Sequence, residues 1–292
     1  MKPPYPYCAS WVSVDACWER REDLHPARGL RAHKPRVDGI SSLPHPVHLY
    51  EFLTRSGHYH MGLAPANGEL LSHAMDRLLS DCFAGLPPGG RVLDVGAGLG
   101  GTVALLARAG FRAVGVDPDP QAVSYARARA PAGAELRCGL LTDVADGPYD
   151  ALFLTEVLQH HRELDPLLAC CRALIAPGGS VIVHDPALQV EARWDDVPYH
   201  RAGALAAAAA RAGFDVGERR DLTAEVFPTF RVLDELFRTR RAEVLAAFPG
   251  RADVALQLDE LACHAGHLER GFAAGHLVYE RTWLAVPRRP TP

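Results

Sequence analysis

One carboxylate and four glycines stand together in the segment Asp94-Val95-Gly96-Ala97-Gly98-Leu99-Gly100-Gly101, where a short apolar run ends and a helical pattern begins. Glycines at such a turn permit positive φ angles and let a ligand approach the backbone closely. The following helix N-terminus offers unpaired N–H groups and a partial positive charge. At the end of the next apolar run, Asp117 can accept hydrogen bonds from a ribose diol. This segment therefore predicts a nucleotide-binding turn.

Two further side chains follow later apolar runs and are suited to proton transfer. His160 comes after the run that ends at Leu154, and Asp185 directly follows the run 180–184. The carboxyl ends of parallel strands meet at one edge of a sheet, so we expect both side chains at one crevice. Histidine has a pKa near neutrality, and a carboxylate beside it can act as a base or orient its ring. The alternative for each residue is a structural role, as a loop cap for His160 or as turn chemistry for Asp185-Pro186.

His58 and His60 lie with one residue between them in a loop that precedes this region. No cluster of carboxylates is placed to complete a metal site with them, so we predict no metal and assign both histidines to substrate contacts. Phe227 and Phe230 lie in a predicted helix between residues 222 and 273. They either line the substrate or pack within the helical core.

The elements that must position these residues alternate from residue 91 onward. Helices are predicted at His48–Thr54, Gly68–Phe83, Gly101–Ala109, Pro120–Ala130, Asp165–Leu174 and Arg201–Ala212, and further helices between residues 223 and 271. Strands are predicted at Arg91–Val95, Ala113–Val116, Leu136–Gly139, Ala151–Leu154, Ser180–His184, Phe214–Arg219 and His276–Val286. Short apolar strands that alternate with helices indicate a parallel sheet covered on both faces.

The composition limits the classes of function. The 292 residues are 48% hydrophobic and 23% charged with a net charge of −4, which suits a soluble domain with additions and does not favour a nucleic-acid partner. No apolar run reaches the roughly 18–20 residues that a membrane helix needs, and the N-terminus lacks a signal-peptide pattern. The seven cysteines form no CxxC motif, so we expect reduced thiols in a cytoplasmic protein.

The order and spacing of the motifs are similar to those of class I S-adenosylmethionine-dependent methyltransferases. The resemblance covers about residues 50–286 and rests on Asp94–Gly100, Asp117, Tyr149–Leu154 and Pro177-Gly178-Gly179. The glycines also satisfy the GxGxxG pattern of dinucleotide enzymes. Those enzymes usually carry a small or apolar residue at the position of Asp94, which separates the two families.

The resemblance implies a Rossmann-like, doubly wound α/β fold with a seven-stranded sheet whose last strand is antiparallel. It also implies a helical lid before the core and a helical insertion before the last strand. We divide the chain accordingly into an extension (1–45), a helical lid (46–84), a cofactor-binding core (85–221), a helical substrate cap (222–273) and a final strand with its tail (274–292).

The resemblance further implies which residues bind S-adenosylmethionine. The implied cofactor-binding residues are Tyr50, Asp94, Gly96, Ala97, Gly98, Asp117, Pro118, Leu140, Leu141 and Thr155. Asp94 and the glycine turn would hold the methionine part, Asp117 the ribose, and the two leucines the adenine. Many family members carry an acid at the position of Leu140, so either Asp143 or backbone groups would contact the adenine amine here.

Within the family, the chain resembles the ubiquinone, sterol and natural-product methyltransferases. Three features carry this resemblance. They are the loop of residues 56–62 (the lid loop), the position of His160, and the insertion before the last strand. It implies methyl transfer to oxygen or nitrogen of a small metabolite in natural-product biosynthesis, with His160 as base. The small-molecule substrate is the one expected partner, with neither nucleic acid nor membrane, and a homodimer is left open.

Three alternatives stay open at this point. The acceptor could be carbon, as in an isoprenyl diphosphate, with Glu156 or Asp185 taking the later proton and Arg238, Arg240 and Arg241 binding the phosphates. The protein could instead be an NAD-dependent oxidoreductase. It could also bind S-adenosylmethionine without catalysing a reaction.

Overall fold

The computed structural model describes residues 46–66, 69–189 and 199–287. The predicted extension 1–45, with Cys8 and Cys17, lies outside the described residues. Within them, seven strands form one sheet in the order β3-β2-β1-β4-β5-β7-β6. The strands are β1 (Arg91–Val95), β2 (Arg112–Asp117), β3 (Ala134–Cys138), β4 (Tyr149–Thr155), β5 (Ile175–Leu188), β6 (Asp215–Asp221) and β7 (Leu277–Ala285).

Strands β1 to β5 pair in parallel, whereas β7 runs antiparallel to both β5 and β6. The predicted doubly wound sheet with an antiparallel last strand is therefore confirmed. The strand order reverses at β1, whose Asp94 pairs with Gly115 of β2 on one side and with Phe153 of β4 on the other. The crevice at this reversal, beyond the carboxyl ends of the strands, is where ligands of open α/β sheets bind.

Helices cover both faces of the sheet. They are α1 (Pro46–Thr54), α2 (Leu71–Ser80), α3 (Gly101–Arg108), α4 (Pro120–Arg127), α5 (Leu164–Leu174), α6 (Ala204–Arg211), α7 (Thr223–Thr239), α8 (Arg241–Ala247) and α9 (Ala252–Ala273). Neighbouring strand residues point to opposite faces, so Leu93 joins the core that contains α5 and α6, while Val92 joins the core beneath α3 and α4.

Helices α7, α8 and α9 pack together with α1 in a separate hydrophobic cluster. Leu49, Tyr50 and Leu53 of α1 meet Leu233 and Phe237 of α7 there. The rings of Tyr50 and Phe237 lie 6.1 Å apart between centroids. Helix α1 and the helices before the last strand thus bury one shared apolar surface. No described helix combines the length and apolarity that a membrane crossing requires.

The structure corrects several predicted boundaries. Helix α5 begins at Leu164 with Glu163 as its N-cap, so Asp165 is not the cap residue. Strand β5 is longer than the predicted Ser180–His184 because β7 pairs with it as far as Leu188. The Asp185-Pro186 pair therefore lies inside a strand, and its interpretation as turn chemistry was wrong.

Candidate functional site

Hydrogen bonds join the glycine turn after β1 to β2, and the backbone of the turn is accessible at Gly98. The N–H groups of Gly96 and Ala97 both donate to the Val116 carbonyl, at 2.9 and 3.0 Å. Gly96 and Gly98 have φ angles of 72° and 50°. A Cβ atom at Gly98 would meet no atom of the described residues within 4 Å, whereas one at Gly96 would lie 2.8 Å from a methyl group of Val157. Gly98 is therefore the position where a ligand can approach the turn closely.

Two carboxylates flank this turn. Asp94 is 2% exposed and hydrogen-bonds to the Thr102 side chain, and burial raises its pKa well above its ordinary value. Asp117 accepts from the N–H groups of Gly98 and Asp119, both at 2.8 Å, and burial raises its pKa as well. Within the described residues neither carboxylate forms an ion pair with a lysine or arginine. The crevice therefore favours a ligand that carries positive charge.

The end of β4 forms the opposite wall of the crevice. Thr155 places its hydroxyl where it is buried and has no hydrogen-bond partner within the described part of the chain. Glu156 follows with a φ of 54°, and its N–H donates to the His184 carbonyl at 2.7 Å. Val157 then packs against Gly96. The β4 loop and the glycine turn are thus in direct contact.

His160 ends the short 3-10 helix Leu158–His160 in this loop. Burial and the neighbouring His161 lower the pKa of His160 to about 4, so its ring is neutral at pH 7. Asp185 is buried, and its Oδ2 accepts from the Leu158 N–H at 2.9 Å. Asp185 of β5 therefore binds the backbone of the loop that carries His160.

The lid loop places His58 and His60 in a buried chain of hydrogen bonds. The Nε2 atom of His58 lies 2.8 Å from Asp76 Oδ1, and its Nδ1 lies 2.9 Å from His60 Nε2. Tyr50 donates to the His60 carbonyl at 3.1 Å. Within the described residues no group of three or more His, Cys, Asp or Glu side chains has the arrangement of a metal site.

The lid loop also rests on the glycine turn. The Gly57 carbonyl accepts from the Gly101 N–H at 2.8 Å, at the start of α3. Glu51 accepts from the Gly57 N–H at 2.7 Å and from the Tyr125 hydroxyl at 3.0 Å, which links α1 to α4. Sequence reasoning missed Glu51 and Asp76, since neither stands in a motif or at a strand end.

The remaining predicted residues lie in different surroundings. Leu140 is half-buried, and its N–H donates to Asp143 Oδ2 at 2.8 Å, so Asp143 closes this loop. Phe230 is fully buried in the helical cap, with its ring stacked on Phe272 at 5.1 Å, whereas Phe227 is half-buried. Pro118 is half-buried and Leu141 is buried, each next to the end of a strand.

The three clustered arginines Arg238, Arg240 and Arg241 are paired with carboxylates on the cap itself. Arg238 binds Asp234 at 2.8 Å, Arg240 binds Glu243 at 2.5 Å, and Arg241 binds Asp259 at 2.5 Å. Each of the three guanidinium groups therefore already has a carboxylate partner within the cap.

A family profile described as "Methyltransferase domain" matches residues 68–218, just over half of the chain. The chain belongs to this methyltransferase domain family. It is 34% identical over 111 residues to a ubiquinone biosynthesis O-methyltransferase of Methylocella silvestris. That match covers 36% of this chain and 43% of the relative, so the chain spans less than half the length of the curated relative it matches.

Solved structures share the fold of this methyltransferase-family chain. A cyclopropane synthase from Mycobacterium tuberculosis has a TM-score of 0.72 at 15% identity and covers 86% of this chain and 99% of its own. A structure described as a sarcosine dimethylglycine methyltransferase from Galdieria sulphuraria has a TM-score of 0.70 at 16% identity, with 83% and 98% covered. At these identities the likeness concerns the fold alone.

The residues present at the crevice fit S-adenosylmethionine. Its sulfonium and ammonium groups are cationic, and the crevice holds the buried Asp94 and the half-buried Asp117 without a basic side chain paired to them in the described chain. The open backbone at Gly98 leaves room for close approach. The buried Thr155 hydroxyl has no hydrogen-bond partner among the described residues, and a ligand can provide one.

Proposed function

We propose that this protein transfers the methyl group of S-adenosylmethionine to an oxygen or nitrogen atom of a small metabolite. The observation that carries the proposal is a pair of carboxylates, the buried Asp94 and the half-buried Asp117, on either side of a glycine turn that is open at Gly98. The pair lies at the strand reversal of a methyltransferase-family fold, where ligands of such sheets bind.

When bound, S-adenosylmethionine supplies a methyl group that its sulfonium already activates. In our proposal Asp94 and the Gly96–Gly98 turn hold the methionine part, and Asp117 accepts from the ribose hydroxyls. Leu140 and Leu141 flank the adenine, and Tyr50, Ala97, Pro118 and Thr155 complete the cofactor-binding wall. Each carboxylate would then gain a partner in place of water.

The protein's remaining tasks are to align the acceptor atom and to accept its proton. Sequence analysis predicts His160 as the base that takes this proton. Its ring is neutral at pH 7 and can accept a hydrogen bond from the group that is methylated. Asp185 positions His160 through the Leu158 N–H. His58, His60, Phe227 and Phe230 belong to the lid and cap that we assign to the substrate, with the fully buried Phe230 acting through packing.

An oxygen acceptor from biosynthetic metabolism is favoured by the similarity to the ubiquinone O-methyltransferase of Methylocella silvestris. An isoprenyl diphosphate acceptor gains no support from the arginine cluster, since carboxylates of the cap already pair with all three guanidinium groups. Membership of the methyltransferase family disagrees with an NAD-dependent oxidoreductase.

The test uses the full chain in two steps. Calorimetry measures the binding of S-adenosylmethionine and of S-adenosylhomocysteine. The protein is then incubated with methyl-labelled S-adenosylmethionine and the small-molecule fraction of a cell extract, and products are analysed by mass spectrometry. We expect micromolar cofactor binding and a labelled small product.

Each other outcome contradicts a specific part of the proposal. Absence of cofactor binding overturns it entirely, and labelled protein or RNA overturns the substrate class. If the protein binds the cofactor but labels no product, and His160→Ala binds the cofactor equally well, the protein is a non-catalytic binding protein.

A further inference from the structure

Glu156 connects three separate parts of the molecule through one carboxylate oxygen. Its Oε1 accepts from the Met61 N–H of the lid loop at 2.7 Å and from the Tyr279 hydroxyl of β7 at 3.0 Å. Its Oε2 accepts no hydrogen bond within the described residues. One oxygen is therefore held firmly from two directions, while the other stays available to a ligand.

The backbone at Glu156 directs this carboxylate to the crevice. With a φ of 54°, Glu156 occupies the left-handed region that non-glycine residues seldom adopt and that functional sites often contain. It lies between Thr155, whose buried hydroxyl has no partner in the described part of the chain, and Val157, which packs on Gly96. Strands β1 and β4 pair side by side up to Val95 and Leu154. Glu156, two residues after Leu154, therefore lies beside the glycine turn that follows Val95.

Among the described residues, no cation faces Glu156. The groups that face it are the phenols of Tyr50 on α1, Tyr59 in the lid loop and Tyr279 on β7, and the buried carboxyl of Asp185 on β5. Glu156 contributes to the raised pKa of all three phenols, which therefore stay neutral. Burial in turn raises the pKa of Glu156 to about 7. A carboxylate with this pKa is a stronger base at neutral pH than His160, whose pKa is about 4.

We propose that Glu156 Oε2 accepts the proton that the methyl-acceptor atom releases, with Tyr279 and the Met61 N–H as positioning groups. This inference rests on the methyltransferase function proposed above and makes His160 a residue that orients the acceptor. The acceptor's hydrogen moves to Oε2 as a proton while a bond forms from the acceptor atom to the methyl carbon. The carbon–sulfur bond breaks with its electron pair on sulfur, and the carboxylic acid then returns its proton to water.

A first experiment needs no acceptor. Glu156→Gln keeps an oxygen that can accept from Met61 and Tyr279 but removes the titrating group. Infrared spectra of the full chain are recorded from pH 4 to pH 9, and S-adenosylhomocysteine binding is measured by calorimetry. We expect a carboxyl band that titrates near pH 7 in the wild type and is missing in the variant, with affinities that agree within about threefold. Absence of the band from the wild type overturns the inference.

A second experiment measures labelled-product formation from the extract fraction that the wild type methylates. We expect Glu156→Gln to lower turnover by about 100-fold or more at pH 8, the effect typical of losing a general base. Tyr279→Phe removes a hydrogen bond that lowers the pKa of Glu156, so the acidic limb of its pH–rate profile shifts to higher pH. A merely structural tyrosine would not shift that limb.

The outcomes separate this inference from the function on which it rests. If Glu156→Gln turns over at the wild-type rate and the acidic limb of its pH–rate profile stays near pH 7, the role of Glu156 is overturned. The proposed methyltransferase function would still stand. Loss of S-adenosylhomocysteine binding in the same variant also overturns it, because Glu156 would then serve the cofactor. A wild type that neither binds cofactor nor labels a product contradicts the proposed function itself.

Discussion

Asp117 Oδ2 accepts a hydrogen bond from the Gly98 N–H at 2.8 Å, which joins the end of β2 to the glycine turn after β1. The second oxygen, Oδ1, accepts from the Asp119 N–H at 2.8 Å. A carboxylate has about four acceptor positions, so each oxygen can still accept from a ligand hydroxyl. Asp117 therefore shapes the turn and keeps capacity for a ribose diol.

We predict that Asp117→Asn weakens S-adenosylhomocysteine binding by about tenfold or more, or about 1.4 kcal/mol. The amide keeps an oxygen for the Gly98 N–H but loses the charge and half of the acceptor capacity. Asp119→Asn is the matched control, since Asp119 caps α4 through the Gln121 N–H and asparagine caps equally well. Calorimetry on both variants decides, and equal affinities would exclude Asp117 from the cofactor site.

A second prediction uses two glycines with positive φ. Gly98 and Gly89 have φ angles of 50° and 67°, and at either position an added Cβ would have no neighbour within 4 Å in the described part of the chain. Substitution of either glycine by alanine should therefore lower the unfolding free energy by a similar amount, about 1–2 kcal/mol. We expect Gly98→Ala to abolish S-adenosylhomocysteine binding and Gly89→Ala to retain it, as measured by denaturation and calorimetry. Retained binding in both variants would place the ligand elsewhere.

A third prediction concerns the histidine chain of the lid. His58→Ala removes the group between Asp76 and His60 and leaves both without that partner in a buried site. We expect a loss of about 1–3 kcal/mol in unfolding free energy and faster tryptic cleavage at Arg55, because the lid opens more often. The exposed His73→Ala serves as control and should match the wild type. Unchanged cleavage in His58→Ala would show that the chain does not hold the lid.

A fourth prediction follows from the raised pKa of Glu156. The folded state binds this proton with a pKa of about 7, above the ordinary value of 4.5, so ionisation of Glu156 destabilises the fold as the pH rises between these values. The unfolding free energy of Glu156→Gln, compared with that of the wild type, should therefore rise by about 3 kcal/mol between pH 4.5 and pH 7. Above pH 7 the difference should stay constant. For the exposed Glu163→Gln the difference should stay within about 0.5 kcal/mol at every pH. Urea denaturation across this range measures both, and a flat difference for Glu156→Gln would contradict its buried charge.

The sheet could be predicted because its signals are local. Apolar runs such as Arg91–Val95 alternate with helical patterns, and the Asp94–Gly101 turn combines unusual residues at fixed spacing. The end of β5 could not be predicted in this way. Asp185-Pro186 has the composition of a turn, but β7 supplies the pairing that extends the strand through it. A long-range partner there overrides the local preference.

The sequence by itself determined the fold class and the glycine turn with its two carboxylates, and it predicted His160 and Asp185 at one crevice. Only the tertiary structure decided the surroundings of Glu156, whose partner Met61 lies 95 residues away and whose partner Tyr279 lies 123 residues away. It also decided the chain from Asp76 through His58 to His60. Burial and hydrogen bonding arise from segments that fold against each other, and residue spacing alone carries no record of those contacts.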